Sequence, residues 1–159
     1  MVRIRTKREI ELIAVSCQIV SDTLDMLSDH VKAGVKIIDL DKMAEEFIIN
    51  CGARPAFKGY MGFPATLCVS VDDEVVHGIP NDRILKDGQI VGIDCGAEKD
   101  GYFGDHARTF SVGKITNDKQ KLMDITHKSL MLGIAEARPD NYVSDIGYAI
   151  QSYVEKYGY

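Results

Sequence analysis

An excess of positive charge is missing from this chain of 159 residues: 19 Lys and Arg stand against 24 Asp and Glu, for a formal net charge of -5. Neutralising phosphates needs a basic footprint, so no direct nucleic-acid function is expected. The one basic cluster, Arg3, Arg5, Lys7 and Arg8, reads as a solvated arm, with contact to an acidic surface such as RNA as the alternative. Paired cysteines are missing too. Cys17, Cys51, Cys68 and Cys95 are unevenly spaced in apolar stretches without a CxxC, which argues against a zinc knuckle and for buried free thiols in a reducing compartment. No run of about 18 apolar residues occurs, and no apolar h-region follows the charged start. A soluble, cytoplasmic protein without a membrane partner is the expectation.

What is present is ordinary for a globular domain, 45% hydrophobic and 27% charged, enough for one domain with a real core. Thr6-Lys7-Arg8-Glu9 is a capping box, so a helix should follow. Ile10, Ile13, Ala14, Cys17, Val20, Leu24 and Leu27 continue it at helical spacing, and it should stop before Gly34. A shorter helix carries Leu40, Met43, Ala44, Phe47 and Ile48, with Gly52 as its left-handed cap. From there strands and loops take over, with a β-branched run at 66–71 and a tight turn at Lys86-Asp87-Gly88. Helical patterning returns after Asn117, a possible cap, through Leu122, Ile125, Ser129, Leu132 and Ala135. Pro139 ends it, and a last helix from about Ser144 carries Ile146, Ala149, Ile150, Tyr153 and Val154 up to Gly158.

The plan is one domain, 1–159, in which a first αα-β unit (6–115) is followed by the helices of a second (117–158), whose strands are missing. One copy's sheet would leave an open edge and an uncovered flank. The chain is therefore expected to be part of a longer protein.

Two runs, 90–98 and 102–112, read as strands on either side of Lys99-Asp100-Gly101, and they carry Asp94 and Asp105. With a loop of two or four residues both aspartates fall on one face of the hairpin, and with four they oppose each other directly. The alternative is a solvent-facing or Lys/Arg-paired pair. The surroundings of Asp94 are apolar, so it should be largely buried and in need of a partner, and the two carboxylates together ask for a cation. Asp105 follows Gly104, where a ligand or backbone can approach closely. His77 lies where a strand gives way to the loop Gly78-Ile79-Pro80, and its imidazole suits proton transfer or hydrogen bonding. Alternation turns His106 to the opposite face from Asp105, while His30 and His127 read as surface residues.

Four ordered blocks, Gly59-Tyr60-Met61-Gly62-Phe63-Pro64, Asp73-Glu74-Val75-Val76-His77-Gly78-Ile79-Pro80, the stretch from Leu85 to Asp94, and Asp100-Gly101-Tyr102-Phe103-Gly104-Asp105, resemble the type I methionine aminopeptidases of the pita-bread metallopeptidases. The resemblance implies an α+β pita-bread fold, a curved antiparallel sheet with helices on its outer face, here with its second half truncated. It implies removal of the N-terminal methionine from new proteins and peptides, with nascent chains as partners and the ribosome nearby. It also implies two divalent ions, Co, Mn, Fe or Zn, with Asp94 a chelating ligand of one and Asp105 bridging both. His77 would hydrogen-bond near the scissile amide, and Tyr60, Phe63 and Cys68 would line the methionine pocket, positions that without the resemblance read as ordinary core. Relatives often have Tyr in place of Phe63 and a small hydroxyl residue in place of His106.

The family's second histidine ligand and two glutamate ligands are missing, and a catalytic zinc alone usually takes three protein ligands. Negligible activity and weak metal affinity are therefore expected of the segment alone. The rival readings are a noncatalytic pita-bread module that binds peptides or a protein, and a related peptidase that cleaves before proline. Retention of Asp94, Asp105 and His77 together argues against the first, and the GYMGFP block against the second.

Overall fold

In the computed structural model, which describes residues 4–159, the chain divides into two compact units between Ile115 and Thr116. Arg3, from the basic cluster, lies outside the described residues.

The first unit begins with helix α1 (Lys7–Ser28), started by the expected capping box: the Glu9 N–H donates to Thr6 Oγ1 at 3.3 Å and the Thr6 N–H donates to Glu9 Oε2 at 2.8 Å. Its buried stripe is Ser16, Ile19, Val20, Thr23, Leu24 and Leu27. The expected period holds, but the stripe is rotated and displaced towards the C-terminus: Ile10 is 56% exposed, and Cys17 is exposed rather than buried. The reason lies at Gly104, where a Cβ would come within 2.5 Å of the backbone of Ser16 and Cys17. That close approach turns Ser16 towards the sheet, where its hydroxyl donates to the Tyr102 carbonyl at 2.9 Å. Cys17, about 100° further round the helix, turns away.

Helix α2 (Ile37–Asn50) buries Ile37, Leu40, Asp41, Ala44 and Ile48, and Gly52 follows it in the left-handed conformation, φ +67. No side chain caps its start. The loop carbonyls of Arg83 and Asn81 accept the N–H groups of Ile37 and Ile38 instead, at 3.0 and 2.9 Å.

Four antiparallel strands form one sheet: β1 (Arg54–Pro55), β2 (Leu67–Val71), β3 (Ile90–Lys99) and β4 (Tyr102–Ser111). The central β3 pairs with β4 along one side and with β1 and β2, end to end, along the other. Alternation sorts its side chains. Val91, Ile93, Cys95 and Ala97 are fully buried and join Val20, Leu24, Leu27, Leu40 and Ile48 of the two helices in one core. Gly92, Asp94, Gly96 and Glu98 take the other face. The strand expected to lead into His77 does not form. β2 ends at Val71, a turn with φ 57 at Asp72 follows, and Val75 and Val76 lie exposed in a loop.

The second unit is a helix pair, α3 (Asn117–Glu136) and α4 (Val143–Val154), with a 3₁₀ turn at Glu155–Tyr157 and a left-handed Gly158. Thr116, rather than Asn117, caps α3: its backbone is extended and its hydroxyl accepts the Lys119 N–H at 3.4 Å. The helices touch at Gly133, where an added Cβ would lie 2.8 Å from Ile150 and 3.4 Å from Ile146.

Candidate metal centre

The turn decides where the two aspartates stand. Asp100 (φ 54) and Gly101 (φ 82) make a two-residue loop with both residues left-handed, the type that continues the twist of the flanking strands. Lys99 then pairs with Tyr102, so Asp94 lies opposite Ala107 and Asp105 opposite Gly96. The aspartates share a face, but on the diagonal and not directly opposed. Diagonal neighbours are roughly 7 to 8 Å apart at the backbone, within reach of side chains that lean together.

They do interact. The Asp94 carboxyl is pushed above the usual carboxylate range, first by burial, then by the charge of Asp105 and a hydrogen bond to it. His77 and the Cys95 N–H pull the other way. Asp94 is partly rather than largely buried, because no helix of its unit covers this face of β3, yet its Oδ1 is shut off from solvent and has no hydrogen-bond partner. Asp105, which is exposed, can offer it a hydrogen bond only if one of the pair carries a proton. Two neighbouring carboxyl groups, which are acceptors only once both are ionised, with one buried, orphaned oxygen fit a cation. Among the described residues no group of three or more His, Cys, Asp or Glu is arranged to hold a metal ion.

Of the other expected site residues, Cys68 and His77 lie near this pair. Cys68 lies directly opposite Asp94 on β2, on the same face. Burial, then Asp94, Asp105 and Asp41, push its thiol up to about 11, so in the metal-free chain it is a neutral thiol near pH 7. Tyr60 and Phe63 sit at a 3₁₀ turn, Tyr60–Gly62, and its end. Tyr60 is 69% exposed and Phe63 partly buried, so neither is ordinary core. His77 is exposed, with φ 61, an uncommon conformation for a residue with a side chain. Its loop is fastened to β2 at Gly78, whose carbonyl accepts the Val69 N–H at 2.8 Å and whose own N–H donates to Ser70 Oγ at 3.3 Å. His106, paired with Cys95, takes the helix-facing side of β4, as alternation requires. His127 is exposed, but His30 is partly buried just past α1, with an unpartnered Nδ1.

One wall was not visible in the sequence. The Phe57 ring covers Gly96, where a Cβ would come within 2.5 Å of it. Gly96 faces Asp105 across the ladder, so Phe57 borders the carboxylates. The only hint in the chain was a glycine inside a strand.

The description of metallopeptidase family M24 matches residues 11–159. The chain belongs to this family. The M24 chain is 47% identical over 155 residues to methionine aminopeptidase 1 of Bacillus subtilis (strain 168), a match covering 98% of this chain and 62% of that protein. It is 46% identical over 160 residues to the methionine aminopeptidase of Clostridium acetobutylicum, covering 100% and 64%. The crystal structure of methionine aminopeptidase from Rickettsia prowazekii matches with a TM-score of 0.98 and 40% identity, over 100% of this chain and 64% of that one. The prolidase from Pyrococcus furiosus matches at 0.88 with 23% identity, a likeness of fold alone. The pita-bread α+β fold expected from the sequence is the fold of this M24 chain, which spans 62–64% of the length of these two bacterial relatives.

Proposed function

We propose that this M24 chain forms the Asp94–Asp105 side of a metal-dependent methionine aminopeptidase, which removes the first residue from chains that begin with methionine. The observation that carries the reading is the pair of same-face carboxylates with a buried, unpartnered Asp94 Oδ1, in a chain of a metallopeptidase family. Asp94 would chelate one divalent ion and Asp105 would bridge two, with Mn, Fe, Co and Zn all compatible with carboxylate ligands. Bound there, such ions polarise a carbonyl and lower the pKa of water. The chain's own residues do the rest. Phe57, Phe63 and the neutral Cys68 wall an apolar pocket and Tyr60 stands at its rim. His77, held at the pocket by Gly78, hydrogen-bonds near the scissile amide. The units 6–115 and 117–158 are parts of one catalytic domain, whose substrates are nascent chains met in the cytoplasm near the ribosome.

Among the described residues too few ligands converge for tight binding, and we expect weak metal affinity and negligible turnover from this chain alone. The test supplies the part of the Bacillus subtilis relative that this chain does not cover, fused or as a separate polypeptide, with Mn²⁺ and the peptide Met-Ala-Ser. Methionine release is expected, and Asp94→Asn or Asp105→Asn should abolish it. No release, release untouched by both substitutions, or a preference for cleaving before proline contradicts the reading.

A further inference from the structure

One face of α2 grips both ends of the segment that carries Tyr60 and Phe63. Asp41, only 5% exposed in the middle of α2, accepts two consecutive backbone N–H groups on one oxygen, Thr66 at 2.9 Å and Leu67 at 2.8 Å. One turn on, Glu45 accepts from Lys58 Nζ at 2.6 and 2.8 Å. Positions four apart share a helix face, so the grip at 58 and the grip at 66–67 come from one rigid surface.

Between them the segment is closed on itself. Gly59 N–H donates to the Phe63 carbonyl at 2.8 Å, and Tyr60 N–H to the Phe57 carbonyl at 2.9 Å, through left-handed Gly59, Met61 and Gly62. Just before it, the Ala56 N–H donates to the Gly96 carbonyl at 2.9 Å. Side-chain packing does little to hold the turn, since Tyr60 is 69% and Met61 92% exposed. Its place is set by its anchors. An apolar residue in place of Asp41 would leave the buried Thr66 and Leu67 N–H groups without a partner. Desolvation raises the Asp41 carboxyl, while the Leu67 and Thr66 N–H groups and the nearby Lys58 stabilise its charged form. The two N–H groups it fixes lie immediately before Cys68, the residue opposite Asp94.

We propose that Asp41 is a positioning residue for the substrate side-chain pocket, with the exposed Glu45–Lys58 pair a minor second anchor: from α2 it sets where Tyr60, Phe63 and Cys68 stand relative to Asp94, and so the affinity for an N-terminal methionine side chain. The inference rests on the pocket reading given above, and the test separates the two.

The experiment uses the 159-residue chain, with amide hydrogen exchange at Thr66 and Leu67 and an NMR titration with L-methionine amide followed at Gly59, Gly62 and Tyr60. Asp41→Ala should speed exchange at Thr66 and Leu67 at least about tenfold, as expected for losing charge-assisted hydrogen bonds, and weaken methionine amide by a similar factor. Asp41→Asn, which keeps an acceptor oxygen but loses the charge, should fall between wild type and Asp41→Ala in both. Glu45→Ala should move affinity by less than about threefold, because its ion pair is exposed. Exchange at Ile93 reports whether the core is intact. If Asp41→Ala does not fold, Asp41→Glu, which displaces the oxygen by one methylene, carries the test and should move both readouts. Unchanged exchange at Thr66 and Leu67, or faster exchange with unchanged affinity, overturns the proposal. A wild-type chain whose Gly59, Gly62 and Tyr60 signals ignore methionine amide contradicts the pocket reading instead, and the proposal is then decided by exchange alone.

Discussion

Asp94 binds its proton more tightly in the folded chain than in the unfolded one, through burial first and the Asp105 charge second. An acid raised in this way lowers stability as pH rises from its ordinary value through its folded value, and the loss is complete above both. In the metal-free chain Asp94→Asn should therefore be stabilising at pH 7, through relief of a buried charge first and of the Asp105 repulsion second, by at most about 1 kcal/mol, the upper end for directly opposed pairs, since this pair is diagonal. The gap should close near about pH 4, where an ordinary aspartate takes up its proton. Urea unfolding at the two pH values measures it, and a destabilised Asp94→Asn at pH 7 would refute it. The shared face of Asp94 and Asp105 was legible in the sequence, because a period of two carries across either even-numbered loop. Their diagonal offset was not, because Lys99-Asp100-Gly101 suits either loop length and the left-handed Asp100 settles the choice. Phe57 and Asp41 were also hidden. Phe57 meets Gly96, and Asp41 meets Thr66 and Leu67, only once the chain has folded across 25 or more positions.

At the scale of elements, helix ends and periods read well from sequence, while helix rotation did not. The Thr6 cap and the left-handed Gly52 and Gly158 stand where local chemistry puts them. The buried stripe of α1 depends on a partner 86 positions away, the Tyr102 carbonyl that Ser16 reaches, and on the missing side chain of Gly104. Gly104→Ala tests this contact. Its Cβ would meet helix backbone at 2.5 Å, atoms that move only if α1 moves, so a loss of roughly 1 to 3 kcal/mol is expected, as for overpacking in a well-packed core. Thermal or urea unfolding reads it. Wild-type stability would mean that α1 does not lie so close to β4.

Across the whole molecule the two units differ in what they bury. The first unit holds one continuous core from α1, α2 and the sheet. In the second, α3 buries Ile125, Ser129 and Gly133, and α4 buries none of its residues, while Leu130, Met131, Ile134 and Tyr148 are at least 47% exposed. Local stability follows buried apolar contact, which is where most helical stability in proteins comes from. Native-state hydrogen exchange should show α3 and α4 opening at much lower free energy than Val91, Ile93 and Cys95, and equal protection would count against this division.

The central claim is that Asp94 and Asp105 together receive a metal ion, and it can be tested without turnover or tight binding. Substoichiometric Mn²⁺ broadens NMR signals according to their distance from the bound ion. Broadening should centre on Asp94, Asp105, Gly96 and Cys68 and be lost in both Asp94→Asn and Asp105→Asn. Broadening centred on the acidic turn Asp72-Asp73-Glu74, or unchanged by those two substitutions, would contradict it.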